Sequence, residues 1–239
     1  MDLKKFDNLP EFMKNKEVKE YYDILNKRRG HLVLKRILDF IGGLIGTVLL
    51  LPIMIVIGII IKCESRGPVL FKQIRITQYG REFKIFKFRT MVVNAEKLGT
   101  QVTSKNDPRV TKIGRFLRKY RLDELPQIIN ILMGDLSFVG TRPEVPRYVK
   151  EYTNEMIATL LLPAGVTSEA SIEFKDEEKI LDNSDNVDSD YINKVLPLKM
   201  KYNLHYIKLF SAFYDIKIMF RTIGAVLGLE GEKVERLDS

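Results

Sequence analysis

From Phe40 to Ile61 the chain runs for 22 residues without a charge, FIGGLIGTVLLLPIMIVIGIII, and no other stretch limits its fold so strongly. A straight helix of that length reaches about 33 Å, enough for a hydrocarbon core of about 30 Å. Two features argue against a plain span. Pro52 falls in the middle, where it removes a backbone donor and clashes with the preceding turn. Both flanks are also basic, with Lys27, Arg28, Arg29, Lys35 and Arg36 before the run and Lys62, Arg66, Lys72 and Arg75 after it. A Lys/Arg excess marks the cytoplasmic side, and a single span should show it at one end only. A helix that enters, breaks at Pro52 and returns to the same face satisfies both observations. An ordinary span with a tolerated proline and a buried core helix remain as alternatives. Gly42 and Gly46 form a small-xxx-small pair suited to packing a helix. At the entrance, Arg36 and Asp39 are placed to neutralise each other, with Lys35 able to reach anionic lipid.

At 239 residues the chain can hold one substantial core. Its net charge of +8 implies an anionic partner: lipid headgroups, nucleotides, nucleic acid or phosphorylated substrates. Cys63 is the single cysteine, which excludes an intramolecular disulfide and suits a reducing compartment. The polar first 30 residues carry no secretory signal. Phosphate-binding glycine loops, dinucleotide fingerprints and paired metal-binding histidines are all missing, and Ser137 has no evident base.

The segments divide as 1–31, polar with an amphipathic helix around Glu17 to Leu25; 32–63, the membrane helix; 64–228, the main domain; and 229–239, a polar tail. Val69 to Ile76 and Phe83 to Phe88 alternate apolar and polar residues across a Tyr79-Gly80 turn, which predicts a β-hairpin. Asn106-Asp107-Pro108 signals a loop. A helix with Ile113, Phe116, Leu117 and Tyr120 on one face follows. Residues 173–190 are acidic, with Asp182, Asp185, Asp188 and Asp190. Against a calcium loop there stand Val187 and Asn193, where glycine and a bidentate glutamate are needed, so a solvated insertion is the expectation. From Tyr206 to Leu227 a helix is expected with Leu209, Phe213, Ile216, Phe220, Ile223 and Leu227 on one face, either in the membrane interface or in the core.

Chemistry concentrates in KIGRFLRKYRLDELPQIINILMGDLSFVGTRPEVPR, residues 112–147. Asp123 and Glu124 sit between Arg115, Arg118 and Arg121 on one side and Arg142 and Arg147 on the other. Guanidinium groups bind phosphate in bidentate fashion, and magnesium takes carboxylate oxygens. Such a segment suits phosphoryl transfer, although a solvated set of surface ion pairs has the same composition. Asp123 is placed to cap a helix running to Met133, with Pro126 in its first turn and Gly134 at its stop. The helix dipole would then favour both carboxylates as anions.

The proline-bearing apolar segment, KFRTM at 87–91, DPRVTKIGRFLRKYRLDELPQIINILMGDLSFVGTRPE at 107–144 and DIKIMFRT at 215–222 together resemble the bacterial sugar transferase family, the monotopic phosphoglycosyl transferases. The likeness runs from about residue 33 to 228. It implies an α/β fold: a small mixed domain on the cytoplasmic face of the bacterial inner membrane, with a re-entrant helix broken at Pro52 and amphipathic interfacial helices. It also implies transfer of a sugar-1-phosphate from a UDP-sugar to undecaprenyl or another polyprenyl phosphate, with release of UMP. By resemblance Asp123 is the nucleophile, Glu124 the partner of Mg2+, and Arg118 and Arg142 phosphate-holding arginines, with Lys87 in the basic hairpin near the site. The compact form of the family is implied, without the extra multi-span region of its larger members.

Two positions depart from the family pattern. Leu51 stands where serine commonly precedes the proline, and Pro163-Ala164-Gly165-Val166-Thr167-Ser168 replaces a Pro-Gly-Ile-Thr-Gly pattern. The sugar therefore cannot be transferred from a relative. Membrane lipids are expected partners and a homo-oligomer is compatible, whereas a membrane helix and a carboxylate pair do nothing for nucleic acid. The alternative is a non-catalytic membrane-surface module on the same fold.

Overall fold

The computed structural model describes residues 3–95, 107–174 and 187–226. Helix α1 (Lys16–Asn26) starts on Asn15, whose side chain accepts from the Val18 amide. It leads into α2 (Arg29–Glu64), a 36-residue helix with Pro52 inside it. A hairpin follows, β1 (Leu70–Ile76) antiparallel to β2 (Glu82–Phe88), turning through Tyr79 and Gly80 at φ 60° and 75°. After α3 (Lys112–Lys119) come a 3-10 turn at Leu122–Glu124 and α4 (Gln127–Met133), which stops at Gly134 in the left-handed region. Strand β3 (Leu136–Val139) pairs in parallel with β4 (Ala164–Thr167), and α5 (Pro146–Val149) lies in the crossover between them. The chain continues through α6 (Glu169–Glu173), α7 (Val187–Asp190), a π-helical segment at Tyr191–Val195, α8 (Leu196–Leu209) and α9 (Ala212–Val226). Among the described residues the architecture is mixed α/β and mostly helical, with two small two-stranded sheets.

The hairpin, α1 and the stop at Gly134 agree with the sequence expectations. The parallel β3–β4 pair was not anticipated, because its strands are four residues each and lie far apart in sequence. It needs glycine where the chains touch: a Cβ on Gly165 would lie 2.1 Å from the Gly140 amide nitrogen. The N-terminal segment is not a loose appendage. Leu3, Leu9, Met13, Val18, Tyr22 and Leu25 are buried in one cluster with Leu161, Ile207 and Phe210.

By length and composition α2 is long and apolar enough to cross a membrane. Pro52 lies inside α2, and the chain is helical on both sides of it. One strip of α2 packs on the domain, and the rest, including Val48 and Leu49, is exposed. The strip starts with Leu32 and Lys35, and the Lys35 ammonium donates to the Val139 carbonyl and to Asp215, both at 2.7 Å. Arg36 donates to the Ile131 and Leu132 carbonyls at the end of α4. Asp39 accepts from Ser137 Oγ and the Phe138 amide. The expected Arg36–Asp39 neutralisation and lipid-facing Lys35 are thus corrected: these buried polar groups are used on the domain's own backbone and on Asp215, because a polar group removed from water must find a partner.

The glycines come next. A Cβ on Gly42 would lie 2.9 Å from Phe138, on Gly43 3.1 Å from Leu132 and on Gly46 2.4 Å from Ile128. The small-residue pair therefore packs this chain's own α4 and β3. Beyond Pro52, Met54, Ile57 and Ile61 are buried with Phe88, Leu117 and Ile128.

The predicted helix from 206 to 227 is two helices. Phe210 is fully buried with extended backbone and separates α8 from α9. On α9, Asp215 and Ile218 face inward while Phe213, Ile216, Phe220 and Ile223 are exposed, so the core alternative does not hold for this face. Leu227 lies outside the described residues, as does most of the acidic stretch. Of that stretch, Asp188 contacts Arg147 and Tyr148, and Asp190 pairs with Lys194.

The α2–α4 contact makes a direct prediction. Gly46→Leu should destabilise the protein by about 1–3 kcal/mol through overpacking and should speed amide exchange across Gln127–Met133. Val48→Leu, on the exposed face, should stay within about 0.5 kcal/mol. Thermal unfolding and hydrogen exchange in a membrane mimic read both, and unchanged exchange in Gly46→Leu would contradict the packing described.

Candidate active site

The Asp123-Glu124 turn is built from its neighbours. Arg121 takes a left-handed φ of 56° as α3 ends, a conformation costly for a non-glycine residue. That reversal brings Leu122 and Leu125 onto the apolar cluster of Phe88, Leu117 and Ile128, leaving the two carboxylates between them on the turn. Asp123 does not cap a helix to Met133, as expected. It sits inside the 3-10 turn, Pro126 occupies the position before α4, and α4 is seven residues long. The helix-dipole argument for ionising Asp123 falls with that expectation.

Three elements converge on the Asp123-Glu124 turn, two of them on Glu124 itself. From β2, the Lys87 ammonium donates to Glu124 Oε1 at 2.9 Å; from the loop after β3, Arg142 Nη2 donates to the same oxygen at 2.7 Å. From α3, Arg118 donates through Nε to Thr90 Oγ1 at 2.9 Å, just past β2, and lies near enough to favour the Asp123 anion. The structure thus brings together Lys87, Arg118, Asp123, Glu124 and Arg142. Pro52 is away from this group, in α2. Arg115 and Arg121 are exposed, and Arg147 turns to Tyr148 and Asp188.

The electrostatics separate the two carboxylates. Burial works against the Glu124 anion, but Arg142 and Lys87 outweigh it and hold Glu124 well below the usual carboxylate range. Burial pushes Asp123 up, with Lys87 opposing and the Glu124 charge reinforcing. Burial likewise lowers Lys87, against the pull of Glu124. Glu124 is a fixed anion that gathers cations, and Asp123 is the more basic of the pair. A carboxylate freed of strong pairing and raised in basicity is the better nucleophile.

Two partners were missed from sequence. Thr90 positions Arg118, and its signal was its place inside KFRTM. Arg75, an arginine among the apolar residues of β1, donates to the Pro143 carbonyl at 3.0 Å and so steadies the loop that carries Arg142.

Among the described residues no group of three or more His, Cys, Asp or Glu side chains is arranged to hold a metal ion. Magnesium bound beside substrate phosphates needs fewer, commonly one or two carboxylates with phosphate and water oxygens completing its shell. The adjacent Asp123 and Glu124 fit that requirement.

Known proteins share this arrangement's sequence. A UDP-N-acetylgalactosamine-undecaprenyl-phosphate N-acetylgalactosaminephosphotransferase of Aeromonas hydrophila is 35% identical over 198 residues, covering 81% of this chain and 44% of that protein. A UDP-glucose:undecaprenyl-phosphate glucose-1-phosphate transferase of Escherichia coli (strain K12) is 36% identical over 195 residues, 80% of this chain and 39% of that protein. A galactosyl transferase of Streptococcus agalactiae serotype III (strain NEM316) is 33% identical over 247 residues, 95% of this chain and 50% of that protein. The chain thus spans half or less of the length of these three relatives. The profile of the bacterial sugar transferases matches residues 30–229, taking in α2, the hairpin, the Asp123-Glu124 turn and α9. On that match the chain belongs to the bacterial sugar transferase family.

Proposed function

We propose that this protein transfers a sugar-1-phosphate from a UDP-sugar to undecaprenyl phosphate or a similar polyprenyl phosphate, releasing UMP, as a step in surface polysaccharide synthesis. The observation that carries this reading is the convergence of Lys87, Arg118 and Arg142 around the Asp123-Glu124 turn in a chain of this family. The names of the relatives support the substrate classes. A non-catalytic surface module would have no use for a half-buried carboxylate pair with cations gathered around it.

In this mechanism a carboxylate oxygen of Asp123 attacks the β-phosphorus of the donor. The bond to the bridging oxygen breaks, and that oxygen leaves as part of UMP. An acyl-phosphate now joins Asp123 to the sugar phosphate. An oxygen of polyprenyl phosphate then attacks the same phosphorus, and Asp123 leaves as carboxylate. Splitting the transfer lets a soluble donor and a lipid acceptor use one site in turn. Arg142 and Lys87 exchange their hold on Glu124 for the donor phosphates, and Arg118 stabilises charge on the transferring group. Magnesium, held by Glu124 with Asp123 nearby, would neutralise diphosphate charge.

Full-chain protein with undecaprenyl phosphate should release UMP from at least one donor among UDP-N-acetylgalactosamine, UDP-glucose and UDP-galactose. Asp123→Asn should abolish that release, on the order of 10³-fold or more. Arg118→Ala and Arg142→Ala should each cut it severely without loss from the membrane fraction, and Lys at either position should rescue in part, since a point charge cannot replace a bidentate fork. Activity in Asp123→Asn comparable to the parent would remove the nucleophile assignment.

We further propose that α2 is re-entrant, bending at Pro52 so that both ends and the domain lie on the cytoplasmic face of the inner membrane, with the exposed faces of α2 and α9 in lipid. In support, both ends of α2 bind the same domain: Lys35 and Asp39 hold β3, and Arg89 donates to the Ser65 carbonyl and hydroxyl just past the far end. A full crossing would have to pull one of those ends away. Cysteines placed at His31 and Ser65 in a Cys63-free background should be labelled from one side only, and labelling from opposite sides would refute the bend.

A further inference from the structure

Behind Arg142 lies a second buried polar cluster that the proposed chemistry does not use. Glu144, two residues on, is buried together with Lys199 from α8 and Tyr191 from the π-helical segment. The Tyr191 hydroxyl donates to Glu144 Oε1; Lys199 Nζ donates to that hydroxyl at 3.1 Å and lies 3.8 Å from the carboxylate. The backbone of the same short stretch is held by the hairpin, where the Ile76 amide donates to the Glu144 carbonyl at 3.0 Å and Arg75 to the Pro143 carbonyl. Arg142, Pro143 and Glu144 are therefore pinned from two sides, by β1 and by the segment beginning at Tyr191.

The second side is tied down at another point. Tyr148 packs its ring on Tyr191 with centroids 4.7 Å apart and donates to Asp188 at 2.7 Å, and Arg147 pairs with the same carboxylate. A π-helical turn inserts one extra residue and re-aims the side chains around it, and such turns recur at functional sites. Here it sits where Tyr191 must meet Glu144.

We propose that Tyr191, acting through Glu144 with Lys199 as its support, is a positioning residue for Arg142, so that the segment after the acidic stretch controls how the site holds the donor's phosphates. The physical reason is the burial of Glu144. A carboxylate removed from water needs hydrogen-bond donors, and the loss of one leaves it seeking another position. Because Pro143 stiffens the link, a shift of Glu144 is passed to Arg142, whose guanidinium reaches Glu124 at 2.7 Å. A displacement on the order of 1 Å at a phosphate-holding group is enough to cost rate.

This inference rests on Arg142 holding phosphate, and its test separates the two claims. UMP release would be measured with undecaprenyl phosphate and the donor panel for four full-length proteins: the parent, Tyr191→Phe, Arg142→Lys and the double variant. Tyr191→Phe should lower kcat/KM for the donor about five- to tenfold, leave KM for undecaprenyl phosphate unchanged and lower the unfolding midpoint by only a few degrees, so that the protein stays folded in the assay. In the Arg142→Lys background the same change should cost less than about twofold, since coupled residues are not additive. Glu144→Gln, which keeps an acceptor for Tyr191, should be milder than Glu144→Ala. An equal loss in both Arg142 backgrounds, or no loss in Tyr191→Phe, would overturn the proposal. Should the parent release no UMP, the functional reading fails, and amide exchange over residues 140–145 decides this one. Faster exchange in Tyr191→Phe supports positioning, and unchanged exchange overturns it.

Discussion

Everything in this molecule is arranged around an apolar helix that must bury one narrow strip and leave the rest uncovered. Residues 32, 35, 39, 43, 54, 57 and 61 of α2 are buried, at the spacing that keeps them along one side of a helix. The polar members of the strip are fully committed: Lys35 to Asp215 and a carbonyl, Asp39 to a hydroxyl and an amide. Breaking such a buried pair by removing one partner costs about 3–5 kcal/mol, because the remaining charge is stranded. The strip therefore fixes α2 against α4 and β3, the two elements that follow the Asp123-Glu124 turn. The same helix is also the floor of the site, since Met54, Ile57 and Ile61 share a cluster with residues flanking the carboxylates.

On that floor, charge does the selecting. Glu124 is held as an anion by Arg142 and Lys87 and so keeps two cations together. Burial makes the neighbouring Asp123 more basic. Two adjacent acids of the same type thus acquire different behaviour from their surroundings, as acid pairs do where environment sets the role. The left-handed Arg121 is what lets α3 end and the turn begin in time to present both.

Much of this was legible in the residues. The hairpin could be read because its alternation and its Tyr-Gly turn are local signals, and the arginines around Asp123-Glu124 because they are close in sequence. Three things were not. The partners of Lys35, Arg36 and Asp39 lie about 100 or more residues away, so a local reading paired Arg36 with Asp39 instead. The Asp123 helix cap was a plausible local pattern defeated by the left-handed Arg121, a conformation that residue type does not announce. The single helix from 206 to 227 had the right period, but Phe210 is fully buried among Tyr206 and residues of α1 and α2, and that tertiary contact interrupts the helix. The exposed face of α9 shows the reverse, since periodicity marked the face and only the fold could say that nothing among the described residues covers it.

The central claim is that Asp123 carries the sugar phosphate. Full-length protein incubated with an accepted UDP-sugar and no lipid acceptor, then quenched and weighed by intact-mass spectrometry, tests it most directly. The expected result is a mass gain equal to one sugar phosphate, located on the peptide containing Asp123 and discharged when undecaprenyl phosphate is added. A protein that turns over with both substrates present, yet never gains that mass from the donor alone, would contradict it.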